Sequence, residues 1–220
     1  MVKEKNIRYR GRGIVVLFNP DRCIHVAECL RGLPEVFDNS RNPWINPDAA
    51  PPDAVAEVIR LCPTGSLHYF RTDGGPEEEP PSTNRIVIAD YGPYYVLADV
   101  EIATTDGALL FKDKRIGLCR CGASKHMPIC DGRHFEVDFM DQGTLPEELE
   151  SQSAQEGAPR LLRITSVPNG PLLVSGSFIM EGEGSDRSIK LNRASLCRCG
   201  ASKSKPFCDG GHVKADFKAV

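Results

Sequence analysis

Apolar positions come in short bursts separated by proline, glycine and polar residues, a pattern that predicts short strands and few helices. Ile14-Val-Val-Leu-Phe18 is the longest uninterrupted apolar stretch near the N-terminus, and Pro52-Asp-Ala-Val-Ala-Glu-Val-Ile-Arg-Leu61 reads as a helix. Farther on, Ile86-Val-Ile-Ala89 and Tyr94-Tyr-Val-Leu-Ala-Asp-Val-Glu-Ile102 read as β segments around a Tyr91-Gly-Pro93 turn. Leu161-Leu-Arg-Ile-Thr165, Asn169-Gly-Pro171 and Leu172-Leu-Val-Ser-Gly-Ser-Phe-Ile179 play the same parts again.

That recurrence is a gapless repeat at an offset of 78 residues: Arg85-Ile86 aligns with Arg163-Ile164, Gly92-Pro93 with Gly170-Pro171, Cys119 with Cys197 and Phe139 with Phe217. Each copy is too small for a large core, so two like modules are expected to pack on one another as an intramolecular pseudo-dimer. Asp73 to Asn84 has the proline, glycine and acidic composition of an exposed linker, which sets apart an N-terminal domain. The expected organisation is residues 1–72, a linker 73–84, a first module 85–140, a solvated connection 141–160 and a second module 161–220. Within the connection, Pro146-Glu-Glu-Leu149 has room for one turn of helix.

Composition narrows the function classes. The chain has 220 residues, 40% hydrophobic and 26% charged, with a formal charge of −3, which argues against general nucleic-acid binding. No apolar stretch approaches the roughly 20 residues of a membrane helix, and no signal-peptide core is visible, so a soluble, cytoplasmic protein is expected. Nine cysteines, an odd number without a secretory signal, point to metal or redox chemistry in a reducing compartment rather than to disulfides.

Six of those cysteines lie in the repeated motif. The first copy reads Cys119-Arg-Cys121-Gly-Ala-Ser124-Lys125-His126-Met-Pro128-Ile-Cys130-Asp131-Gly132-Arg-His134, and the second reads Cys197-Arg-Cys199-Gly-Ala-Ser202-Lys203-Ser-Lys-Pro206-Phe-Cys208-Asp209-Gly210-Gly-His212. Cysteines two apart form a tight turn. Asp131 and Asp209 are placed to cap a helix whose third residue is His134 or His212, which closes a four-ligand cup. Three thiolates and an imidazole also suit structural zinc, although zinc modules usually present Cys-x2-4-Cys knuckles instead.

These residues resemble the CDGSH iron-sulfur family, whose pattern is Cys-x-Cys-x2-Ser/Thr-x3-Pro-x-Cys-Asp-Gly-Ser/Ala/Thr-His. Both copies match it except at Arg133 and Gly211, where the family has a small residue before the histidine. The resemblance covers roughly the C-terminal three-fifths of the chain. It implies a 2Fe-2S cluster at each motif, held on one iron by Cys119 and Cys121, or Cys197 and Cys199, and on the other by Cys130 and His134, or Cys208 and His212. It also implies a pseudo-twofold pair of modules with a small β-sandwich cap. The fold class expected is thus α+β, mostly β in its C-terminal part.

A neutral imidazole in place of a thiolate leaves an oxidised 2Fe-2S site with one negative charge rather than two. Reduction is then easier, and the potential is expected above the plant-ferredoxin value of about −400 mV. Protonation at the coordinating nitrogen would break the iron bond and make the cluster acid-labile. His126 reads as a solvated loop residue, since the second copy has Ser204 there. Lys125, Lys203, Arg120 and Arg198 put positive charge beside an anionic cluster, either as compensation or as a guide for an acidic partner.

Upstream, Cys23-Ile-His25-Val-Ala-Glu-Cys29 and Cys62-Pro63 look like a bacterial ferredoxin half whose middle cysteine position is Val26. Three thiolates suit a 3Fe-4S cluster, or a 4Fe-4S cluster with an unusual fourth ligand, for which His25 is the neighbouring candidate. Over residues 12–71 the segment resembles the divergent 4Fe-4S mono-cluster ferredoxin domain, through Cys23-x-His25, Cys29, Leu-Pro-x-Val-Phe37, Pro43-Trp44-Ile45 and Cys62-Pro-Thr-Gly-Ser-Leu67. Trp44 reads as core packing.

The leading expectation is a monomeric, non-enzymatic redox protein that passes single electrons to a partner protein. A cluster store or donor to apo acceptors, or a redox and pH sensor, is the alternative, and a zinc-stapled interaction module is a third class. No nucleophile-base pair or glycine-rich cofactor loop supports catalysis.

Overall fold

The computed structural model describes residues 5–152 and 160–219. Residues 1–4 of the expected N-terminal domain, 153–159 of the connecting segment and Val220 lie outside the described residues. The described residues divide into one unit over residues 5–79 and another over residues 80–152 and 160–219.

In the N-terminal unit, β1 (Ile7–Arg10), β2 (Ile14–Phe18) and β3 (Leu67–Arg71) form an antiparallel sheet in the order β1-β2-β3. Two helices accompany it, the short α1 (Glu28–Gly32) and α2 (Pro52–Arg60). Helix α2 starts on proline, which suits the first turn because its missing N–H is one that no helix would use. It buries Val55, Ala56, Val58 and Ile59, a helically spaced stripe that shares a core with Ile14, Val16, Phe37, Ile45 and Leu67. Leu61 caps it, so Cys62 stands at the helix exit. Trp44 packs as expected, with ring centroids 4.9 Å from Phe18 and 6.1 Å from Phe37.

A charged clasp closes the far end of this unit. Arg71 donates to both carboxylate oxygens of Asp73 at 2.8 and 2.7 Å and to Asp53 at 2.5 Å, which joins β3 to the first turn of α2. The Arg71 hydrogen bonds hold the Asp73 carboxyl down at about 2. A carboxyl depressed on folding contributes stability above its unfolded pKa of about 3.9, and that contribution is lost as pH falls toward about 2. Trp44, the single tryptophan, reports this unit alone. Its fluorescence melt should shift down between pH 5 and pH 2, and Asp73→Asn should flatten that dependence; an unchanged slope in the variant would contradict the clasp.

The second unit is built on six strands: β4 (Arg85–Ile88), β5 (Tyr94–Thr104), β6 (Leu109–Leu118), β7 (Leu162–Ser166), β8 (Leu172–Gly182) and β9 (Ser188–Leu196). Each long hairpin is antiparallel, β5 with β6 and β8 with β9. The short strands β4 and β7 join the two repeats. β4 runs antiparallel to the start of β5 and parallel to the end of β8, while β7 runs antiparallel to the start of β8 and parallel to the end of β5. The registers coincide under the 78-residue offset: Ile86 faces Val96 as Ile164 faces Val174, and Arg85 faces Ile179 as Arg163 faces Glu101. Neither repeat completes its own sheet, so one core forms from both, with Ile86, Val96 and Ile102 packed in the same cluster as Ile164, Val174 and Met180.

Part of the connection proves to be structural rather than merely solvated. Leu145 is buried and Leu149 packs on the core. Arg187 donates to the carbonyls of Leu145, Pro146, Glu147 and Leu149. The expected helical turn is a single tight turn, Leu149 N–H to Pro146 C=O at 3.2 Å.

Candidate metal centres

Each repeat delivers its motif from the end of a long strand. β6 runs into Cys119 and β9 into Cys197. The chain then folds back on itself: Cys119 N–H donates to Pro128 C=O at 2.8 Å and Cys130 N–H to Gly117 C=O at 2.9 Å, and the second copy does the same between Cys197 and Pro206 (2.9 Å) and between Cys208 and Ser195 (2.8 Å). Serine holds each loop, Ser124 Oγ donating to Ile129 C=O and Ser202 Oγ to Phe207 C=O, both at 2.6 Å.

The aspartates lie one residue before the cap position, where each accepts the first helical N–H, Arg133 at 3.3 Å or Gly211 at 2.8 Å, and also braces the loop. Asp131 accepts the Lys125 N–H at 2.9 Å and Asp209 the Lys203 N–H at 2.8 Å. The cap positions belong to Gly132 and Gly210, at φ 86° and 83°, a left-handed turn that glycine takes without cost. In consequence His134 and His212 are second, not third, in the short helices Arg133–Phe135 and α3 (Gly211–Lys214).

The four expected donors of each motif come in two pairs. Cys119 and Cys121 have sulfurs 3.8 Å apart, and Cys130 Sγ stands 3.4 Å from His134 Nδ1. In the second motif Cys197 and Cys199 are 3.6 Å apart, and Cys208 Sγ is 3.3 Å from His212 Nδ1. Two donors on one tetrahedral ion with bonds of about 2.3 Å stand about 3.8 Å apart, so each pair matches one metal position and each motif offers two. Among the described residues no three His, Cys, Asp or Glu side chains converge on a single ion. Backbone amides point at the sulfurs as well: Ala123 N–H at Cys121, Ala201 N–H at Cys199 and Gly210 N–H at Cys208, at 3.4 to 3.5 Å.

The electrostatics suit donors to a cation. Burial pushes the Cys130 thiol up to about 12 and raises Cys197. The Cys119 S–H bonds to Cys121, which together with burial lifts Cys119, while the same bond lowers Cys121 against the effect of burial. Thiols this buried ionise readily only when positive charge such as iron compensates them. Burial, and then the Arg120 charge, lower His134 below its ordinary value, which keeps the imidazole neutral with a lone pair to give. His134 is 5% exposed and packs against Phe135, with ring centroids 4.0 Å apart and the rings tilted by 41°.

Two arginines of the motif stand where the sequence did not put them. Arg120 and Arg198 are fully buried and cannot greet a partner protein. Arg120 Nε donates to Gly92 C=O at 2.8 Å and Arg198 Nε to Gly170 C=O at 2.8 Å, so both pin the turn that precedes the long strand. His126 is exposed in the loop, as expected. Arg133 ion-pairs with Glu136 at 2.8 Å and Asp131 at 3.7 Å. Two features had no sequence signal beyond their residue type. The Cys-x-Cys loops of the two motifs touch through an antiparallel bridge between Cys121 and Cys199, and Tyr94 reaches from the first repeat to the second motif. A glycine after each second cysteine is the one trace of that bridge.

In the N-terminal unit, Cys23 follows the turn Pro20–Arg22, Cys29 lies in the first turn of α1 and Cys62 follows α2. All three line one cavity together with His25, Trp44 and Thr64. Burial, then the neighbouring Cys62, raises the Cys29 thiol to about 11, and burial likewise raises Cys23. His25 and Ala27 sit at φ 59° and 68°, left-handed for non-glycine residues. Such alternation curls a backbone into the amide-lined concavities that hold anionic clusters. His25 Nδ1 is 3.9 Å from Cys23 Sγ.

The chain matches two families of known proteins in three places. Residues 9–72 match the divergent 4Fe-4S mono-cluster family, and residues 91–135 and 169–213 each match the family described as iron-binding zinc finger, CDGSH type. The N-terminal part is also similar to the uncharacterized protein YjdI of Escherichia coli K12, and to its counterpart in strain O157:H7, at 43% identity over 61 residues, which is 28% of this chain and 80% of the relative. No solved structure matches. With donors paired at both repeated motifs and three cysteines gathered upstream, the chain belongs to these families, as a divergent 4Fe-4S mono-cluster domain followed by two CDGSH domains, and is an iron-sulfur cluster-binding protein.

Proposed function

We propose that the protein carries single electrons between partner proteins, with a 2Fe-2S cluster at each CDGSH motif and a 3Fe-4S or 4Fe-4S cluster at Cys23, Cys29 and Cys62. The observation that carries this reading is the two-plus-two grouping of donors, repeated at both motifs. It supports Cys119 and Cys121 as ligands of one iron and Cys130 and His134 as ligands of the other, with Cys197, Cys199, Cys208 and His212 following suit. One-electron chemistry is what such clusters supply. The chain's part is to shield the sulfurs, aim amides at them and keep His134 neutral. The offset-related strand pairing supports two modules about an approximate twofold axis, with the sheet as a sandwich-like cap.

All nine cysteines are free, which favours a reducing compartment such as the cytoplasm. No helix among the described residues is long and apolar enough to cross a membrane. Anaerobic purification followed by metal and sulfide analysis should give iron with comparable acid-labile sulfide; zinc without sulfide would overturn the reading. Incubation with an apo-ferredoxin should leave the clusters in place, and transfer to the acceptor would favour a cluster donor instead.

Replacing imidazole by thiolate gives a further expected result. His134→Cys and His212→Cys should each lower the potential of their own cluster and slow its loss in acid, because the added negative charge opposes reduction and no imidazole remains to be protonated off the iron. Redox titration and bleaching of the visible absorption at pH 5 check this. An unmoved potential would contradict the role given to histidine.

A further inference from the structure

The two motifs are built alike, yet one side chain crosses between the repeats in one direction only. Tyr94, the first residue of β5, is fully buried and pairs across its own hairpin with Leu118. Its hydroxyl lies 2.9 Å from the carbonyl of Cys197 and 2.9 Å from that of Pro206, both in the other repeat. One phenolic proton serves the fork formed by these two carbonyls. Pro206 C=O also accepts the Cys197 N–H, so the hydroxyl completes the junction between the first cysteine of the motif and the loop that returns to Cys208. The Arg120 guanidinium, from within the first motif, stands over the same ring at 5.8 Å from its centroid. The residue equivalent to Tyr94 under the 78-residue offset is Leu172, which brings no donor to Cys119 or Pro128.

We infer that Tyr94 is a positioning residue supplied by the first repeat to the second cluster, holding the Cys197 loop closed and biasing that cluster's potential upward. An O–H aimed at a ligand's peptide carbonyl draws electron density from it and favours the added electron. It also satisfies a buried carbonyl that would otherwise be left without its partner. The two clusters are therefore inequivalent by construction, and the inequivalence lies in a hydroxyl far from the motif in sequence.

The inference rests on the cluster reading above, and the test separates the two. In the intact chain, Tyr94→Phe keeps the ring and deletes the hydroxyl. During chelator challenge with iodoacetamide trapping and peptide mapping, Cys197, Cys199 and Cys208 should become alkylated roughly five- to tenfold sooner than in the wild type, while Cys119, Cys121 and Cys130 keep their rate. In a redox titration followed by electron paramagnetic resonance, one of the two 2Fe-2S potentials should fall and the other stay. Equal acceleration at both cysteine triads, or two unmoved potentials, would overturn the inference, since loosened packing does not select one potential. Substituting 3-fluorotyrosine throughout, a stronger donor of nearly the same shape, should move that same potential upward, and no movement would overturn the inference even if Tyr94→Phe failed to fold. A wild-type protein without acid-labile sulfide would fail the cluster reading itself; a loaded wild type with a symmetric response would fail only the part given to Tyr94.

Discussion

Gly122→Ala should strip iron and sulfide from both CDGSH motifs, although Gly122 belongs to one. The residue lies at φ 84°, and a Cβ there would come within 2.4 Å of the Cys199 carbonyl oxygen and 2.8 Å of its carbonyl carbon. The obstacle is backbone, and it is the backbone of an expected ligand of the other motif. Gly200 mirrors it at φ 75°, its Cβ reaching 2.6 Å from the Cys121 carbonyl oxygen. A left-handed alanine costs about 1–2 kcal/mol by itself. The overlap comes on top, and relieving it means prising the Cys121–Cys199 bridge apart. A total cost of about 3 kcal/mol or more is expected for either glycine, with loss of more than about half the iron and sulfide from each motif. Gly107→Ala is the control, at φ 87° with nothing within 4 Å of its Cβ. It should cost only about the conformational term and leave loading unchanged. Iron per cysteine triad, read by alkylation mapping, decides the matter: an emptied first motif beside a full second one would mean that the loops touch without depending on each other.

Local features of this fold were legible in the sequence because local chemistry specifies them. The helix starting on Pro52 ends at Arg60, one residue short of the expected span, and the apolar runs from Ile86 and Tyr94 are strands. Donor spacing placed the two cysteine pairs as well, because each pair is separated by a single turn of chain. What stayed hidden depends on partners remote in sequence. Strand alternation tells which face of β4 is buried, but not that its second neighbour is β8, more than 90 residues later. Asp131 has the right type for a cap, yet Gly132 takes the cap position, and the carboxylate one residue earlier braces the Lys125 N–H as well as that of Arg133. Arg120 looked like a surface charge beside a cluster because the groups that bury it, from Ala89 to Asp141, are spread over half a module on either side.

Arg120→Met should be among the most destabilising single changes outside the ligand set. The guanidinium is fully buried, with Nε on Gly92 C=O at 2.8 Å, Nη2 on Ala89 C=O at 2.7 Å and on Asp141 C=O at 2.8 Å, and Nη1 on the Asp141 carboxylate. Its guanidinium carbon lies over Phe139, 4.9 Å from the ring centroid, a contact that methionine would make without the charge. Methionine fills the volume but takes the guanidinium's hydrogen bonds from three carbonyls and from a largely buried carboxylate, and breaking a buried pair from one side costs about 3–5 kcal/mol. Asp141→Ala should cost less, because the Arg120 fork keeps its bonds to the backbone carbonyls. The double variant should then fall short of the sum of the single costs by about 1–3 kcal/mol, since Asp141 is no longer stranded once both are gone. Urea unfolding of the four proteins by far-ultraviolet circular dichroism measures the cycle. Strict additivity would show that the pair contributes nothing beyond its separate packing. Because Arg120 sits between Cys119 and Cys121 in the chain, the first motif should also lose its cluster before the second as the denaturant rises, in the reverse order to that expected for Tyr94→Phe.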